Sequence, residues 1–397
     1  MKVAFLIADG MGDYPLDELG GKTPLEYART PVMDELSKTS QVGMCRTIPP
    51  HMEPGSDIAN MALLGFSPAK YHTGRGPIEA AALKVPVGEG DIVFRMNLCT
   101  VSELSPRGEM IDYSAGHIST EQGQWLVSLI KERLEDERFS FVPGFQYRHL
   151  MIMRNGQEEG VEGLHISPPH DILGEGISKD IEEFSRCPSL WQIVVSAHEI
   201  LSSPVNTTKA NTIWPWGQGK RLSLPSFFST YGMRGAVISA VDLIKGLGYA
   251  SGMDVIEVEG ATGLLDTNYQ GKAGAAIEYL EKGDFVFVHL EGPDECAHAG
   301  NIWDKVKAIE RFDEYIVGPI ADYIRFHQGV CVICPDHLTP IKVRTHVKDP
   351  VPFLIFIPSR PVKGTNVFSE REAEKTGLFI PTGEEMLSYV LNLMKEL

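Results

Sequence analysis

The chain has 397 residues, enough for two or three domains with a core that needs no disulfides. Asp and Glu number 53 against 36 Lys and Arg, a formal charge of −17. That balance excludes a nucleic-acid or anionic-membrane surface, so any basic residues that matter must be few and gathered in a cleft.

Val3–Ala8 is a continuous apolar run of strand length, the pattern of a strand buried on both faces of a parallel sheet. It ends at Asp9-Gly10 without the cleavage-type segment of a signal peptide. Asp9 therefore falls at the carboxyl end of a strand, the edge at which open α/β sheets bind ligands. Residues 24–39 read as one amphipathic helix with a proline near its start. In His51-Met52-Glu53-Pro54-Gly55-Ser56, Pro54-Gly55 is a turn and Ser56 sits where a helix N-cap belongs, with residues 59–64 as that helix's first apolar face. A serine there lies among unpaired N–H groups at the positive end of a helix, a place that favours phosphate, although taken singly it is an ordinary cap. Gly74-Arg75-Gly76-Pro77 precedes a further helix.

From about residue 88 the texture changes. Shorter strands at 92–98 and 149–153 alternate with polar loops, a helix covers 120–135, and Pro168-Pro169-His170-Asp171 and residues 214–221 interrupt regular structure. Residues 88–230 are read as a smaller α/β domain inserted into the first. Its loops carry His117, Arg148, His149, His165, His170, Lys220 and Arg221, polar groups suited to an anionic ligand.

Buried-strand texture returns after Gly235. Strands are expected at 236–238, 255–256, Phe285–Leu290, Val330–Cys334 and 353–357, with helices at 271–282, 304–324 and 383–396. This alternation gives an α/β fold, a mainly parallel sheet flanked by helices, formed by 1–87 together with 231–397. Cys331 and Cys334 have CxxC spacing, but they lie inside an apolar run with no second pair; the six cysteines read as free thiols in a reducing cytoplasm. Nothing approaches the length of a membrane span.

Chemistry gathers at the strand ends. After Phe285–Leu290 come Asp294 and His298, four apart and so on one face of a helical turn. After Val330–Cys334 come Asp336-His337, with His346 a little further on. Together with Asp9 and Ser56, these make a binuclear metal site. Oxygen and imidazole ligands without thiolate suit Mn²⁺, Zn²⁺, Co²⁺ or Mg²⁺. A serine hydroxyl is protonated at neutral pH; one cation lowers its pKa, and a second, roughly 3.5–4 Å away, neutralises phosphoryl oxygens during in-line displacement.

Asp9-Gly10, Pro54-Gly55-Ser56, Asp294-xxx-His298, Asp336-His337 and His346 together resemble the alkaline phosphatase superfamily, and more closely the short, archaeal-type branch of the cofactor-independent phosphoglycerate mutases. The resemblance extends over nearly the whole chain, including residues 74–77 and 238–246. It implies an alkaline-phosphatase-like core. It also implies one metal on Asp9, Ser56, Asp336 and His337, a second on Asp294, His298 and His346, and Ser56 as nucleophile. Mn²⁺ is the leading ion, and no bisphosphoglycerate is needed. In that family the serine takes the phosphoryl group from 3-phosphoglycerate, the glycerate turns over in the cleft, and its other hydroxyl takes the group back. His117, in Ser114-Ala115-Gly116-His117, resembles the acid/base and phosphate-contacting histidine, and Lys245 the phosphate-binding lysine. The chain departs from the longer form where that form has an Arg-Asp pair and an Arg-rich motif; Pro169-His170-Asp171 and residues 214–221 stand there, so Arg148, Asp171 and Lys220 are the expected glycerate contacts. A phosphatase, a phosphopentomutase-like enzyme, the homoserine kinase role proposed for relatives, and a non-catalytic metal-binding relative are the alternatives. The expected partner is a small phosphoglycerate, with no nucleic acid or membrane; the oligomeric state is not legible.

Overall fold

A computed structural model describes residues 2–395. The chain forms two compact units, Met1–His72 with Ser223–Leu397, and Thr73–Leu222. The divisions fall at 73 and 222, against 88 and 230 in the sequence reading. The reason at the first boundary is the helix Arg75–Ala82, which packs on the strands Ile92–Val101 and Thr212–Lys220. A Cβ at Gly76 would stand 2.7 Å from the Val93 carbonyl oxygen, so the glycine permits that approach.

In the first unit an eight-stranded sheet runs in the order Phe379–Ile380, Gln41–Cys45, Val351–Phe356, Val330–Cys334, Val3–Ala8, Phe285–Leu290, Gly235–Ile238, Asp254–Ile256. Val3–Ala8 is central and buried at every position, and it pairs in parallel with both neighbours. The sheet is mostly parallel, as expected. Val351–Phe356 is the exception, antiparallel to both Val330–Cys334 and Gln41–Cys45. Residues 335–350, which join Val330–Cys334 to it, contain no helix to carry the chain back for a parallel crossover.

The helix expected over 24–39 is two, Pro24–Tyr27 and Pro31–Ser37. Pro31 has no N–H to continue the first helix and pushes Thr30 out of the helical region. Thr23 and Glu26 form a capping box on the first; Asp313 receives the Val32 and Met33 N–H groups at the start of the second, at 3.1 and 2.7 Å. The helix read at 304–324 is Ile302–Phe312 and Gly318–His327, with a π-helical turn between them over Asp313–Val317. The last helix runs over Gly383–Lys395; residue 396 of the expected span lies outside the described residues.

One buried ion pair ties two site-bearing loops together. Lys305 Nζ lies 2.7 Å from Asp13 Oδ2, both side chains wholly buried, and also donates to the carbonyls of Gly12 and Thr339. Asp13 in turn accepts the Ile341 N–H. Burial lowers the Lys305 pKa, against the pull of Asp13.

The second unit is built on a five-stranded antiparallel sheet in which Ile92–Val101 lies centrally, flanked by Arg148–Met153 and Thr212–Lys220. Residues 214–221, expected to break regular structure, mostly belong to that last strand. Thr212–Lys220 pairs only along Ile92–Val101, and an edge strand tolerates Pro215 while Gly217, at φ 58°, lies beside the register shift between Val93 and Arg95. Trp214 and Trp216 point into the core. All six cysteines are free and buried. No helix among the described residues is long and apolar enough to cross a membrane.

Candidate active site

Each acidic ligand expected from the sequence stands just beyond the carboxyl end of a sheet strand or in the first turn of the helix that follows. Asp9 follows Val3–Ala8 and is 2% exposed. The left-handed turn at Gly10 (φ +61°) comes next, where a Cβ would meet Asp294 Oδ1 at 2.6 Å and Thr339 Oγ1 at 2.7 Å. Only a residue without a side chain lets the first strand's loop cross so close to those of its neighbours.

The helix Ser56–Leu63 begins one residue earlier than the sequence suggested. Gly55 takes the N-cap position in an extended conformation, and Ser56 is the first helical residue, its side chain making no capping bond. The hydroxyl is thereby released from capping, and its Oγ lies 3.0 Å from His337 Nε2. Asn60, one turn on, donates its amide to the Ser56 carbonyl at 2.8 Å and to Asp336 Oδ2 at 2.7 Å. Asp336 Oδ1 accepts the N–H groups of Gly10 and His337.

His337 is oriented from its far side. Thr339 Oγ1 donates to Asp294 Oδ1 at 2.6 Å and lies 3.1 Å from His337 Nδ1, so it receives the Nδ1 proton. That tautomer leaves the Nε2 lone pair facing Ser56 Oγ and, at 3.3 Å, Asp9 Oδ1. His298 follows the same rule: its Nδ1 donates to the Arg344 carbonyl at 2.9 Å, and its Nε2 converges with His346 Nε2 (3.1 Å) and Asp294 Oδ2 (3.1 Å). Asp294 and His298 share the short helix Gly292–His298, the one-face placement that their spacing predicts.

These groups fit divalent cations. Three carboxylates, Asp9, Asp294 and Asp336, lie buried together. Burial first, then the charges of Asp336, Asp294 and Glu291, hold the Asp9 pKa well above its ordinary value, a repulsion that a cation would relieve. Asp9 Oδ1 is buried and has no hydrogen-bond partner. Burial also works against ionised Asp294, but the imidazoles of His298 and His346 hold its pKa well below the usual range. Burial drops His337 to about 4, which keeps its imidazole neutral and able to ligate. Two groups have ligand atoms within 4.8 Å of one another, Asp294 with His337 and His346, and Asp9 with His289 and Asp336. His337 Nε2 also lies 3.0 Å from Ser56 Oγ, 3.3 Å from Asp9 Oδ1 and 3.5 Å from Asp336 Oδ2, so its ring stands between the two groups.

His289, Thr339, Asn60 and Ser239 are absent from the sequence reading of the site. His289 is the fifth residue of a buried strand, and its Nε2 lies 3.0 Å from Asp9 Oδ2. A titratable residue inside an otherwise apolar run is the one signal that marks it. Lys245, on the helix Asp242–Ala250, pairs with Glu257 Oε2 at 2.8 Å. Lys272 is buried and donates to the His289 carbonyl; burial, with Lys245 adding to it, pulls its pKa down to about 8.

In the second unit, His117 is exposed and sits in a left-handed conformation (φ 52°) directly after Ala115 (φ 52°) and Gly116 (φ 77°). Asp112 holds that loop by accepting the Ser114 and Gly116 N–H groups. One arginine of this unit is absent from the sequence reading. Arg95 lies 3.3 Å from Glu79 and 4.9 Å from the Trp216 ring, with its Nε buried and unpartnered. Arg75 lies over the same ring at 6.0 Å, and Arg148 lies over Tyr147 at 5.6 Å. His170 packs edge-on to Trp216, and Asp171 sits 3.6 Å from His170 Nε2. Lys220 is elsewhere: it pairs opposite Ile92, whereas Arg148 pairs opposite Asn97, about 17 Å further along the strand.

A family model described as the metalloenzyme superfamily matches residues 1–389. The 2,3-bisphosphoglycerate-independent phosphoglycerate mutase of Methanosarcina mazei is 45% identical over 387 residues, covering 95% of this chain and 96% of that protein. The chain belongs to the cofactor-independent phosphoglycerate mutases. A further enzyme of that name, from Saccharolobus solfataricus, is 35% identical across 98% of this chain and 97% of its own. Among solved structures, a Pyrococcus horikoshii protein superposes with a TM-score of 0.81 at 31% identity, covering 99% of this chain and 97% of that one. The cofactor-independent phosphoglycerate mutase of Thermoplasma acidophilum does so at 0.65 and 25%, covering 99% and 100%. The α/β core with a mainly parallel sheet flanked by helices, read from the sequence, is the architecture of this phosphoglycerate mutase family member.

Proposed function

We propose that the chain interconverts 3-phosphoglycerate and 2-phosphoglycerate by way of a phosphoserine on Ser56. The observation that supports this most directly is the uncapped Ser56 hydroxyl 3.0 Å from the lone-pair nitrogen of His337, beside the buried Asp9 carboxylate, whose Oδ1 has no hydrogen-bond partner. Asp9, Ser56, Asp336 and His337 would hold one divalent cation and Asp294, His298 and His346 the other. Mn²⁺ is the expected ion, and Zn²⁺, Co²⁺ and Mg²⁺ suit the same donors. When bound, the pair of ions lowers the pKa of the serine hydroxyl and offsets charge on the phosphoryl oxygens.

The chain's own residues supply the rest. Ser56 Oγ forms a bond to phosphorus as the bond to the substrate's departing oxygen breaks, and glycerate is released within the site. Its other hydroxyl then attacks the phosphoserine, restoring Ser56. Asn60 holds the Ser56 carbonyl and Asp336 in register for both steps. Lys245 would bind phosphoryl oxygens. His117, on its strained loop, would protonate the departing oxygen and deprotonate the incoming one. For the glycerate carboxylate, Arg148 and the Arg75–Arg95–Trp216 cluster offer planar cationic donors, with Asp171 orienting His170. Lys220 is a weaker choice given its position. The reaction is that of central carbon metabolism, placed in the cytoplasm.

The test is an enolase-coupled assay on metal-reconstituted protein. Wild-type protein should convert 3-phosphoglycerate and, on rapid quench, carry one phosphoryl group on Ser56 by mass spectrometry. Ser56→Ala should lose both, with activity down roughly 10⁴-fold or more. Equal rates for the two proteins would remove the proposal, and release of inorganic phosphate in place of product would make the chain a phosphatase.

A further inference from the structure

His289 lies in the Phe285–Leu290 strand with its side chain fully buried, in a place where a leucine would satisfy the apolar pattern. Both ring nitrogens are engaged. Nδ1 lies 3.2 Å from Ser239 Oγ, and Nε2 lies 3.0 Å from Asp9 Oδ2. Ser239 Oγ also accepts the Val241 N–H at 3.0 Å, which leaves its own proton to point at Nδ1. The imidazole therefore accepts at Nδ1 and donates from Nε2–H to Asp9. With Oδ2 so engaged, the other oxygen, Oδ1, is the buried atom without a hydrogen-bond partner, 3.3 Å from His337 Nε2. Lys272 fixes the backbone of the same residue by donating to the His289 carbonyl at 2.9 Å.

We infer that His289 is a positioning residue for the Asp9 cation site: the Ser239–His289 pair holds the Asp9 carboxylate in the rotamer that aims Oδ1 at the ion. The inference rests on the metal-site reading above. Its physical basis is that a carboxylate rotates freely about its last bond unless one oxygen is held, and a directed N–H donor holds it at the cost of no ligand. Ser239 belongs to the argument because a hydroxyl that donates to Nδ1 excludes the tautomer that would present a lone pair to Asp9. The same serine caps the Val241 N–H at the start of the Lys245 helix, so one hydrogen-bonded chain joins that helix to the metal ligand.

The experiment titrates Mn²⁺ into chelator-stripped full-length protein by calorimetry and records the visible spectrum of the Co²⁺ form. Wild-type protein should bind two ions. His289→Ala should weaken one of the two by roughly 10–100-fold and leave the other unchanged. His289→Gln, whose amide N–H falls near the Nε2 position, should recover most of the loss while keeping the wild-type Co²⁺ bands. Ser239→Ala should weaken the same ion by a smaller factor, and serves where His289→Ala does not fold. Two wild-type affinities in His289→Ala or, failing its folding, in Ser239→Ala would overturn the inference and leave the metal site standing. Altered Co²⁺ bands in His289→Gln would overturn it by making His289 itself a ligand. Wild-type protein that binds no ion would remove the metal-site reading, and this inference with it.

Discussion

The Thr339 hydroxyl donates to Asp294 Oδ1 at 2.6 Å while receiving the Nδ1 proton of His337, so a single side chain sets both a carboxylate and an imidazole from opposite halves of the expected ligand set. Thr339→Val keeps the shape and removes that link. His337 Nδ1–H then lacks an acceptor and Asp294 Oδ1 loses its closest donor, at about 1–3 kcal/mol each. Chemical denaturation should show a loss in that range, and ion affinity should fall for both sites together. Thr339→Ser should restore both.

Gly10→Ala tests the close crossing of the loops. A left-handed backbone costs alanine about 1–2 kcal/mol, and its methyl would press on Asp294 Oδ1 and Thr339 Oγ1. Calorimetry should show a melting temperature lower by at least about 2–4 °C. Ion binding should weaken by more than the loss of stability alone explains, because the displaced atom belongs to a carboxylate of the proposed ligand set.

The Lys305–Asp13 pair is a structural prediction rather than a catalytic one. Lys305→Met leaves the Asp13 carboxylate buried without its cation and should destabilise the protein by about 3–5 kcal/mol. In a double-mutant cycle, adding Asp13→Asn should recover part of that loss. Ion affinities that fall only in proportion to stability would place the pair outside the chemistry.

Asp313 makes stability depend on pH. Burial raises its pKa from 3.8 to about 6, against the two backbone N–H groups that it accepts. A carboxyl whose folded pKa exceeds its unfolded one favours the fold when protonated. Its contribution is complete below pH 3.8 and is lost as the pH rises through 6, on the order of 3 kcal/mol in all. Asp313→Asn, which cannot ionise, should flatten the stability profile between pH 4 and 6.5 in urea titrations. An unchanged slope would show that Asp313 titrates normally.

The residues that could be read from the sequence share a setting. Asp9, Asp294, Asp336 and His337 each stand where a buried apolar run gives way to polar chain, so a strand end and an expected ligand coincide in one short string. Ser56 was legible as a helix start, but its hydroxyl serves the site because Gly55 took over the cap. His289 and Arg95 stayed hidden for the opposite reason. Each lies within a strand, where alternation and burial suggest packing, and only pairing with a distant strand or loop reveals what its polar atoms meet. The strand at residues 212–220 was concealed by Pro215 and its glycines, which suit an edge position as well as a loop. Thr339 carries no local mark at all; its role arises from two partners, one of them 45 residues earlier in the chain.

The central position of Val3–Ala8 also bears on how the protein is made. Its two neighbours, Phe285–Leu290 and Val330–Cys334, leave the ribosome about 280 and about 330 residues after it. This strand, buried at every position, must wait without a partner while nearly three quarters of the chain is synthesised. During that interval it is a target for chaperones and a seed for aggregation, and shortening the chain to residue 284 would leave it without either neighbour.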